Sequence, residues 1–387
     1  MRLTRLRLTR FRNYATLDFQ PGARICVIFG ANGSGKTNLL EAISLLVPGR
    51  GLRGARFADL ARRDAAAPAA SPSGWGVHAT LRRANADTGA TGDTVEIATG
   101  SAPDAADRRV FRLNGTPPRS QAEIAAHLSV VWLTPAMERL FQEPAAGRRR
   151  FLDRLVFALE PGHAREIAAH DAAQGARNRL LAEAGARADP SWLAGLEDAI
   201  ARHAVAASVA RRGLIAALNG APALGDGAFP RAQLALDCAI STALETQPAI
   251  AVEDDLRRAL AAGRARDAAA GTALLGAQRA DLAMADAASA TPARLCSTGQ
   301  QKALLIGVIL AHAGLIAARR GQAPLLLLDE PAVHLDPARR AALFAALAAG
   351  DAQVLLTGTD GEIFRPLAAI ARGFVLEQGQ AQAADLG

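Results

Sequence analysis

The chain has 387 residues, more than one ordinary core holds, and at roughly 100 to 200 residues per domain it calls for two or three domains. Half of the residues are hydrophobic and 21% are charged, which excludes a disordered chain. The 44 basic residues outnumber the 37 acidic ones for a net charge of +7, a balance suited to a polyanionic partner such as nucleic acid.

Cys26, Cys238 and Cys296 are scattered without metal-ligand spacing, which points to a reduced, cytoplasmic setting. The first twelve residues carry five arginines and no apolar core of a secretory leader. From there the chain alternates like strands, Leu6 and Leu8 against Arg5 and Arg7, then Leu17 and Phe19 about Asp18. An apolar run, Ala23 to Phe29, ends at a glycine-rich stretch. A helical pattern follows from Gly33 to Leu46 and stops at Pro48-Gly49. Residues 64–76 read as a low-complexity loop. Strands are predicted over Val77–Leu81, Thr94–Ala98 and Arg109–Leu113, closed by an Asn114-Gly115 turn, and they look antiparallel. Ser129–Leu133 is a further apolar strand. The chain then becomes helical and arginine-rich over 137–159 and mainly alanine-rich helix over 163–262, broken at Asp189-Pro190 and by a Gly/Pro-rich stretch at 220–230. A helix over 163–188 would be roughly 40 Å long, a short arm without sustained heptads. At Arg294 an alternating α/β style resumes. The apolar run Ala303–Ala318 contains His312 and falls short of the roughly 20 residues that span a bilayer, so it reads as a core helix, with no membrane partner.

Three stretches carry chemistry. Gly30-Ala31-Asn32-Gly33-Ser34-Gly35-Lys36-Thr37 matches GxxxxGK[ST] between a predicted strand and a predicted helix. Glycines allow backbone N–H groups to close around a phosphate, the helix N-terminus adds its dipole, Lys36 reaches the β/γ oxygens and Thr37 ligates Mg²⁺. Of the 44 basic residues only Lys36 and Lys302 are lysines, and at position 36 a slim ammonium fits where a planar guanidinium does not. The run 324–331, PLLLLDEP, is a buried strand that delivers Asp329 to Mg²⁺ and Glu330 beside it to polarise a water. An NKxD guanine-reading motif is absent, which favours ATP. The third stretch, CSTGQQK at 296–302, opens a helix that Ser297 can cap and that Arg319, Arg320 and Gly321 suit at its C-terminus.

Walker A near the start, then a signature, Walker B and an HLD segment at 334–336 near the end, resembles the SMC/Rad50-like branch of ABC ATPases. Lys36 and Ser297 lie 261 residues apart, whereas transporter ATPases keep these motifs closer. Within that branch LTRFRNY, TPAMERLFQEPAAGRRRFLDRLV, STGQQKALLIGVILAHA and LLLLDEPAVHLD are similar to the RecF family. The resemblance implies an α/β fold, an ABC-type P-loop ATPase head of mixed sheet and flanking helices split by a helical insertion that forms a short arm. Its expected parts are an N-terminal lobe at 1–145, an insertion at 146–274 and a C-terminal lobe at 275–387. It also implies a weak ATPase used as a dimerisation switch: an ATP-dependent homodimer that binds duplex or gapped DNA and, with RecR and RecO, helps load RecA in repair. Carried over by residue, ATP goes to Gly30–Thr37 with Arg12 and Asn13 beside it, and metal to Thr37 and Asp329. Catalysis goes to Lys36 and Glu330, trans contacts to Ser297, Thr298, Gly299 and Gln300, and a D-loop role to Asp336.

Two departures accompany the match. GAQRADL at 276–282 lacks the proline and histidine of a GPHRxDL-like pattern, and LLTGTD at 355–360 offers Thr359 where transporter ATPases carry a switch histidine, which implies slow hydrolysis. Aromatics at 4% disfavour single-strand stacking platforms, so duplex backbone contact is expected, with Arg148, Arg149 and Arg150 and the N-terminal Arg5, Arg7 and Arg10 as candidates. A transporter ATPase subunit is the alternative from another class; the split head and the missing glutamine near Thr134-Pro135 argue against it. A generic SMC-like structural head is the other alternative, against which the short arm leaves no room for long-range tethering.

Overall fold

The computed structural model describes residues 1–62, 74–84, 91–102, 105–222 and 229–386. The chain divides into two units, one comprising Met1–Glu138, Pro222–Arg231 and Ser297–Gly387, the other Arg139–Ala221 and Ala232–Cys296. The loop expected at 64–76 lies mostly outside the described residues, as does much of the Gly/Pro-rich stretch at 220–230.

The first unit contains two sheets. In the antiparallel one, β1 (Arg2–Phe11) pairs with β2 (Tyr14–Phe19) and β4 (Gly76–Ala84), followed by β5 (Thr91–Ala102) and β6 (Ala105–Leu113), in the order β2-β1-β4-β5-β6. The alternation of β1 is imperfect, because both Leu3 and Leu6 are buried. A bulge between Leu3 and Arg5 absorbs the extra residue and keeps the apolar side chains on one face. The second sheet runs β13 (Gln380–Ala384), β12 (Ala371–Glu377), β3 (Ile25–Phe29), β11 (Gln353–Gly358), β10 (Leu325–Leu328), β7 (Val130–Leu133). All its pairings are parallel except the β12–β13 hairpin at one edge. Strands β3, β7, β10 and β11 are almost wholly buried, as expected for continuous apolar runs in a parallel sheet.

One core joins the two sheets, with Leu6, Leu8 and Phe19 on one side and Ile28, Leu327 and Phe374 on the other. Gln353 pins them polarly. Its Oε1 accepts from Leu3 N at 2.6 Å, and its Nε2 donates to Leu3 O and Ala23 O at 3.1 Å each, so a buried amide on β11 completes backbone groups of β1 and of the bend that leads into β3. Helix α1 (Lys36–Ser44) starts three residues later than the apolar pattern suggests, because Gly33 and Gly35 hold positive φ in the preceding loop. After the short α2 (Gln121–His127) comes β7.

The second unit is helical around a two-stranded ladder: α3 (Ala145–Leu159), α4 (His163–Ala184), α5 (Pro190–Asn219), β8 (Ala232–Asp237), α6 (Ala239–Ala243), α7 (Ala249–Ala262), α8 (Arg264–Ala270) and β9 (Asp281–Asp286). The Asp189-Pro190 break is where α5 begins, with Asp189 capping Ser191 N at 2.8 Å and proline at the first turn. β8 lies inside the 163–262 stretch whose alanine-rich composition predicts helix. Its strand state depends on pairing with β9, some fifty residues downstream, and no local pattern announces that. The same pairing places 275–296 in the second unit rather than in the C-terminal lobe expected from sequence.

Helices α4, α5 and α8 are tied by a buried ionic cluster. Arg177, fully buried, donates to Glu197 at 3.0 Å, to Asp267 at 2.8 Å and to Leu260 O at 2.7 Å, and Arg264 grips Glu197 from the other side at 2.9 and 2.6 Å. Removing the central cation leaves the buried Asp267 carboxylate without its cation and Glu197 with Arg264 alone. Arg177→Ala is therefore expected to destabilise the protein by about 3–5 kcal/mol, read as a lowered urea midpoint. A shift smaller than about 1 kcal/mol would mean that the cluster relaxes into solvent.

Two helices complete the first unit, α9 (Thr298–Arg320) and α10 (Pro337–Ala349). α9 is long and apolar enough to cross a membrane by composition, and longer than the apolar run suggests, because the Ser297 cap and Gly321 add polar ends. Leu304, Leu305, Ile309, His312 and Ile316 are fully buried, which is the packing of a core helix.

Candidate nucleotide site

Strands β3, β11 and β10 are adjacent and parallel, so the loops leaving their C-terminal ends meet at one edge of the sheet. The β3 loop carries residues 30–37, the β10 loop begins with Asp329 and Glu330, and the β11 loop contains Thr359. Segments far apart in the chain converge by register alone.

In the first loop Gly30, Gly33 and Gly35 have φ of 145°, 83° and 109°, and a Cβ at Gly30 would meet Leu376 O at 2.8 Å. Left-handed backbone of this kind lets successive N–H groups line an anion nest. Lys36 is 5% exposed and its Nζ donates to Gly30 O at 2.7 Å and Ala31 O at 2.9 Å, arching over the loop. Burial holds its pKa below the usual lysine value, against the opposing pull of Glu330 and Asp329. Ser34 Oγ is buried and has no hydrogen-bond partner among the described residues, a position that a phosphate oxygen would satisfy.

The RFRNY segment braces this loop. Asn13 Nδ2 donates to Ser34 O at 3.2 Å, Tyr14 OH donates to Gly35 O at 2.9 Å, and Asn38 Nδ2 donates to Asn13 Oδ1 at 2.7 Å. Burial pushes the Tyr14 phenol well above its usual range, so it remains a donor. Arg12 is committed elsewhere: its fork binds both oxygens of the fully buried Glu41 at 2.8 Å each, and Nη1 donates to Asp59 O at 3.0 Å. Arg12 and Asn13, expected beside ATP, brace α1 and the loop through these bonds, and Tyr14 adds a support that no local sequence pattern marks.

Thr37 Oγ1 lies 3.1 and 3.0 Å from the two carboxylate oxygens of Asp329, joining residues 292 apart. Asp329 also accepts from Thr357 Oγ1 at 2.7 Å, and the same hydroxyl accepts from Glu330 N at 2.9 Å. Thr357 is fully buried on β11 and was not singled out from sequence; its only signal there is a hydroxyl in an otherwise apolar strand, LLTG. Thr359, the expected switch position, is exposed two residues later. Glu330 itself is left-handed at φ 50°, a strained conformation for a non-glycine residue. Among the described residues no group of three His, Cys, Asp or Glu side chains could hold a metal by themselves. Thr37 and Asp329 fit Mg²⁺, which takes one or two protein oxygens and completes its shell from phosphate and water.

The 296–302 stretch forms a capped helix start. Ser297 Oγ accepts from Gln300 N at 3.3 Å, and Gln300 Oε1 accepts from Ser297 N at 3.0 Å. Ser297, Thr298 and Gln300 are exposed and Gly299 half-buried, so this turn presents its surface outward. Asp336 caps α10 through Arg339 N at 2.8 Å and stays exposed.

Of the arginines proposed for phosphate contact, two in the second unit are engaged internally. Arg148 forms a two-point pair with Asp281 at 2.7 Å each, and Arg149 donates to Ala280 O at 3.2 Å, while their neighbour Arg150 is exposed. Their partners belong to the GAQRADL stretch, where Arg211 also grips Ala277 O at 2.8 Å and Gln278 closes the turn onto Leu275 O at 2.9 Å. Gln278 stands at the departed histidine position and makes a structural contact there. In the first unit Arg5 and Arg7 share Asp18, and Arg10 takes part in contacts of its own.

The architecture and this set of loops define an ABC-type P-loop ATPase head. The model of the RecF/RecN/SMC N-terminal domain matches residues 2–382. DNA replication and repair protein RecF of Mesorhizobium japonicum is 46% identical over 97% of this chain and 96% of its own length. The RecF of Rhizobium rhizogenes is 45% identical over 97% of each. A solved structure of the recombination mediator protein RecF-ATPrS in the RecFOR pathway superposes with a TM-score of 0.82 at 20% identity, covering 99% of this chain and 98% of that one. An Smc head domain from Pyrococcus furiosus follows at a TM-score of 0.51 and 16% identity, covering 99% and 95%. The chain belongs to the RecF family.

Thr357→Val keeps the branched shape but removes the hydroxyl, leaving Glu330 N and one Asp329 lone pair unpaired. Magnesium-dependent nucleotide hydrolysis is expected to fall about 10- to 100-fold, with stability reduced by about 1–3 kcal/mol. Thr357→Ser should restore both. Steady-state hydrolysis and urea denaturation on the three proteins check this, and a valine variant as active as the parent would remove Thr357 from the site.

Proposed function

We propose that this chain is an ATP-dependent recombination mediator whose ATP-bound homodimer engages duplex DNA near single-strand gaps, works with RecO and RecR to load RecA in the cytoplasm, and is reset by slow hydrolysis. The observation that carries the reading is the meeting of the Lys36 loop, with its orphaned Ser34 Oγ, and the Asp329–Thr37–Thr357 triad at one sheet edge. The family name of its relatives, DNA replication and repair protein, supports the DNA role.

In this reading the N–H groups of residues 33–37 and Lys36 hold the β and γ phosphates, and Thr37 with Asp329 hold Mg²⁺. Mg²⁺, when bound, neutralises developing charge on the phosphoryl oxygens. Glu330 orients the attacking water and draws its proton. Ser297, Thr298, Gly299 and Gln300 of one copy close the site of another, so that ATP acts as the glue of the dimer, with Asp336 beside the same interface. The exposed Thr359 lacks the imidazole of a switch histidine and therefore slows turnover.

Lys36→Arg keeps the charge but not the fit, and ATP affinity is expected to drop about tenfold or more while the chain stays folded. Equal nucleotide binding by parent and variant in a fluorescence titration would remove the Walker A assignment. Glu330→Gln should bind ATP and accumulate as a dimer in sedimentation while hydrolysis falls about a hundredfold or more. Ser297→Arg should bind ATP and remain monomeric. Parent-like sedimentation of both would end the trans-signature scheme.

For DNA, affinity for duplex should rise with ATP and fall steeply with salt, each neutralised phosphate adding about 0.9 to the log–log slope. Arg148→Ala is expected to lower thermal stability and leave that slope unchanged, because its guanidinium is held by Asp281. A flattened slope in that variant would return Arg148 to the DNA surface, and duplex binding indifferent to ATP would overturn the switch.

A further inference from the structure

The second lysine of the chain repeats the geometry of the first. Lys302, 2% exposed on the second turn of α9, donates from Nζ to Glu330 O at 3.0 Å and to Val333 O at 2.6 Å, and pairs with Glu138 Oε1 at 2.9 Å. Three acceptors converge on one ammonium and account for its three protons. The other oxygen of Glu138 faces His334 Nδ1 at 3.9 Å, and both Glu330 and His334 are left-handed, at φ 50° and 63°.

Glu330 is therefore held from two sides. Thr357 accepts its N–H at 2.9 Å, and Lys302 takes its carbonyl. The strained turn from 330 to 334 persists because these groups over-determine it. Lys302 stands five positions after Ser297, on the rigid helix whose exposed first turn would meet a second copy of the chain. A small tilt or advance of that helix must drag the carbonyls of Glu330 and Val333 with it.

We propose that Lys302 is a positioning residue that couples docking of the partner copy on the Ser297–Gln300 turn to the placement of the Glu330 carboxylate, with Glu138 carrying the same movement to His334. This rests on the reading of the chain as an ATP-driven dimer. It explains the identity of the residue: an ammonium ends in a point that donates in three directions, whereas a planar guanidinium aims its donors in one plane and needs more room.

The test uses the full chain with Mg-ATP, comparing the parent with Lys302→Met and Lys302→Arg. Nucleotide Kd, ATP-dependent sedimentation, kcat, KM and melting temperature are measured on each. Both variants are expected to bind ATP within about twofold of the parent and to dimerise, while kcat falls about 10- to 100-fold at unchanged KM. Glu138→Gln, which leaves the bonds to both carbonyls in place, should lose less than either. A purely structural role would lower the melting temperature and weaken nucleotide binding along with kcat, and that pattern overturns the proposal, as does a parent-like kcat in either variant. If Lys302→Met does not fold, Lys302→Arg carries the same criteria. A parent that binds ATP but never dimerises defeats the proposed function and this inference with it; a parent that dimerises and hydrolyses ATP beside a variant of equal kcat defeats the inference alone.

Discussion

The buried carboxylate of Asp329 holds the site together. At the end of an all-leucine strand it would be costly unless its lone pairs were met, and Thr37 and Thr357 meet them from α1 and β11. Those two hydroxyls fix the end of β10 against both neighbouring motif segments, and the parallel register of β3, β11 and β10 brings them within reach. The left-handed turn at Glu330 follows directly on Asp329, and Thr37 lies in the first turn of α1, so both adjoin this contact.

Around it, the two kinds of basic residue divide the work by shape. Lys36 and Lys302 are both nearly buried, and each donates to two loop carbonyls that converge on one atom. Arginines stand where a flat fork meets a carboxylate edge: Arg12 on Glu41, Arg148 on Asp281, Arg211 on Asp153 at 2.7 and 2.9 Å. The scarcity of lysine in the composition marks these two positions, though composition alone does not say what the second one touches.

Charge arithmetic is a weaker guide. A net charge of +7 suggests a wide cationic surface, yet Arg148, Arg149, Arg177 and Arg211 are spent on internal contacts in the second unit, and Arg5 and Arg7 share one aspartate. The block GRRRF resembles a phosphate-binding cluster in one dimension. In three dimensions Arg148 pairs with the Asp281 carboxylate, Arg149 donates to Ala280 O and Arg150 is left outside, because neighbouring residues on a helix point about 100° apart.

Local order settled the family, the parallel-sheet strands, and the residues at the three loop ends, because GxxxxGKT, LLLLDEP and the Ser297–Gln300 capping box are each contained in a few consecutive positions. It also marked the antiparallel strands through their alternation. The strand state of β8 and the supports behind the site lay beyond it: Tyr14 and Asn13 under the glycine loop, Thr357 between Asp329 and Glu330, and Lys302 beneath the turn. Each of these joins groups from 21 to 50 or more positions apart, or depends on which of two faces a side chain takes. Sequence patterns report periodicity along one element. The pairing of a hydroxyl or an ammonium with a distant backbone group depends on the register between elements, and only the packed tertiary structure decides that.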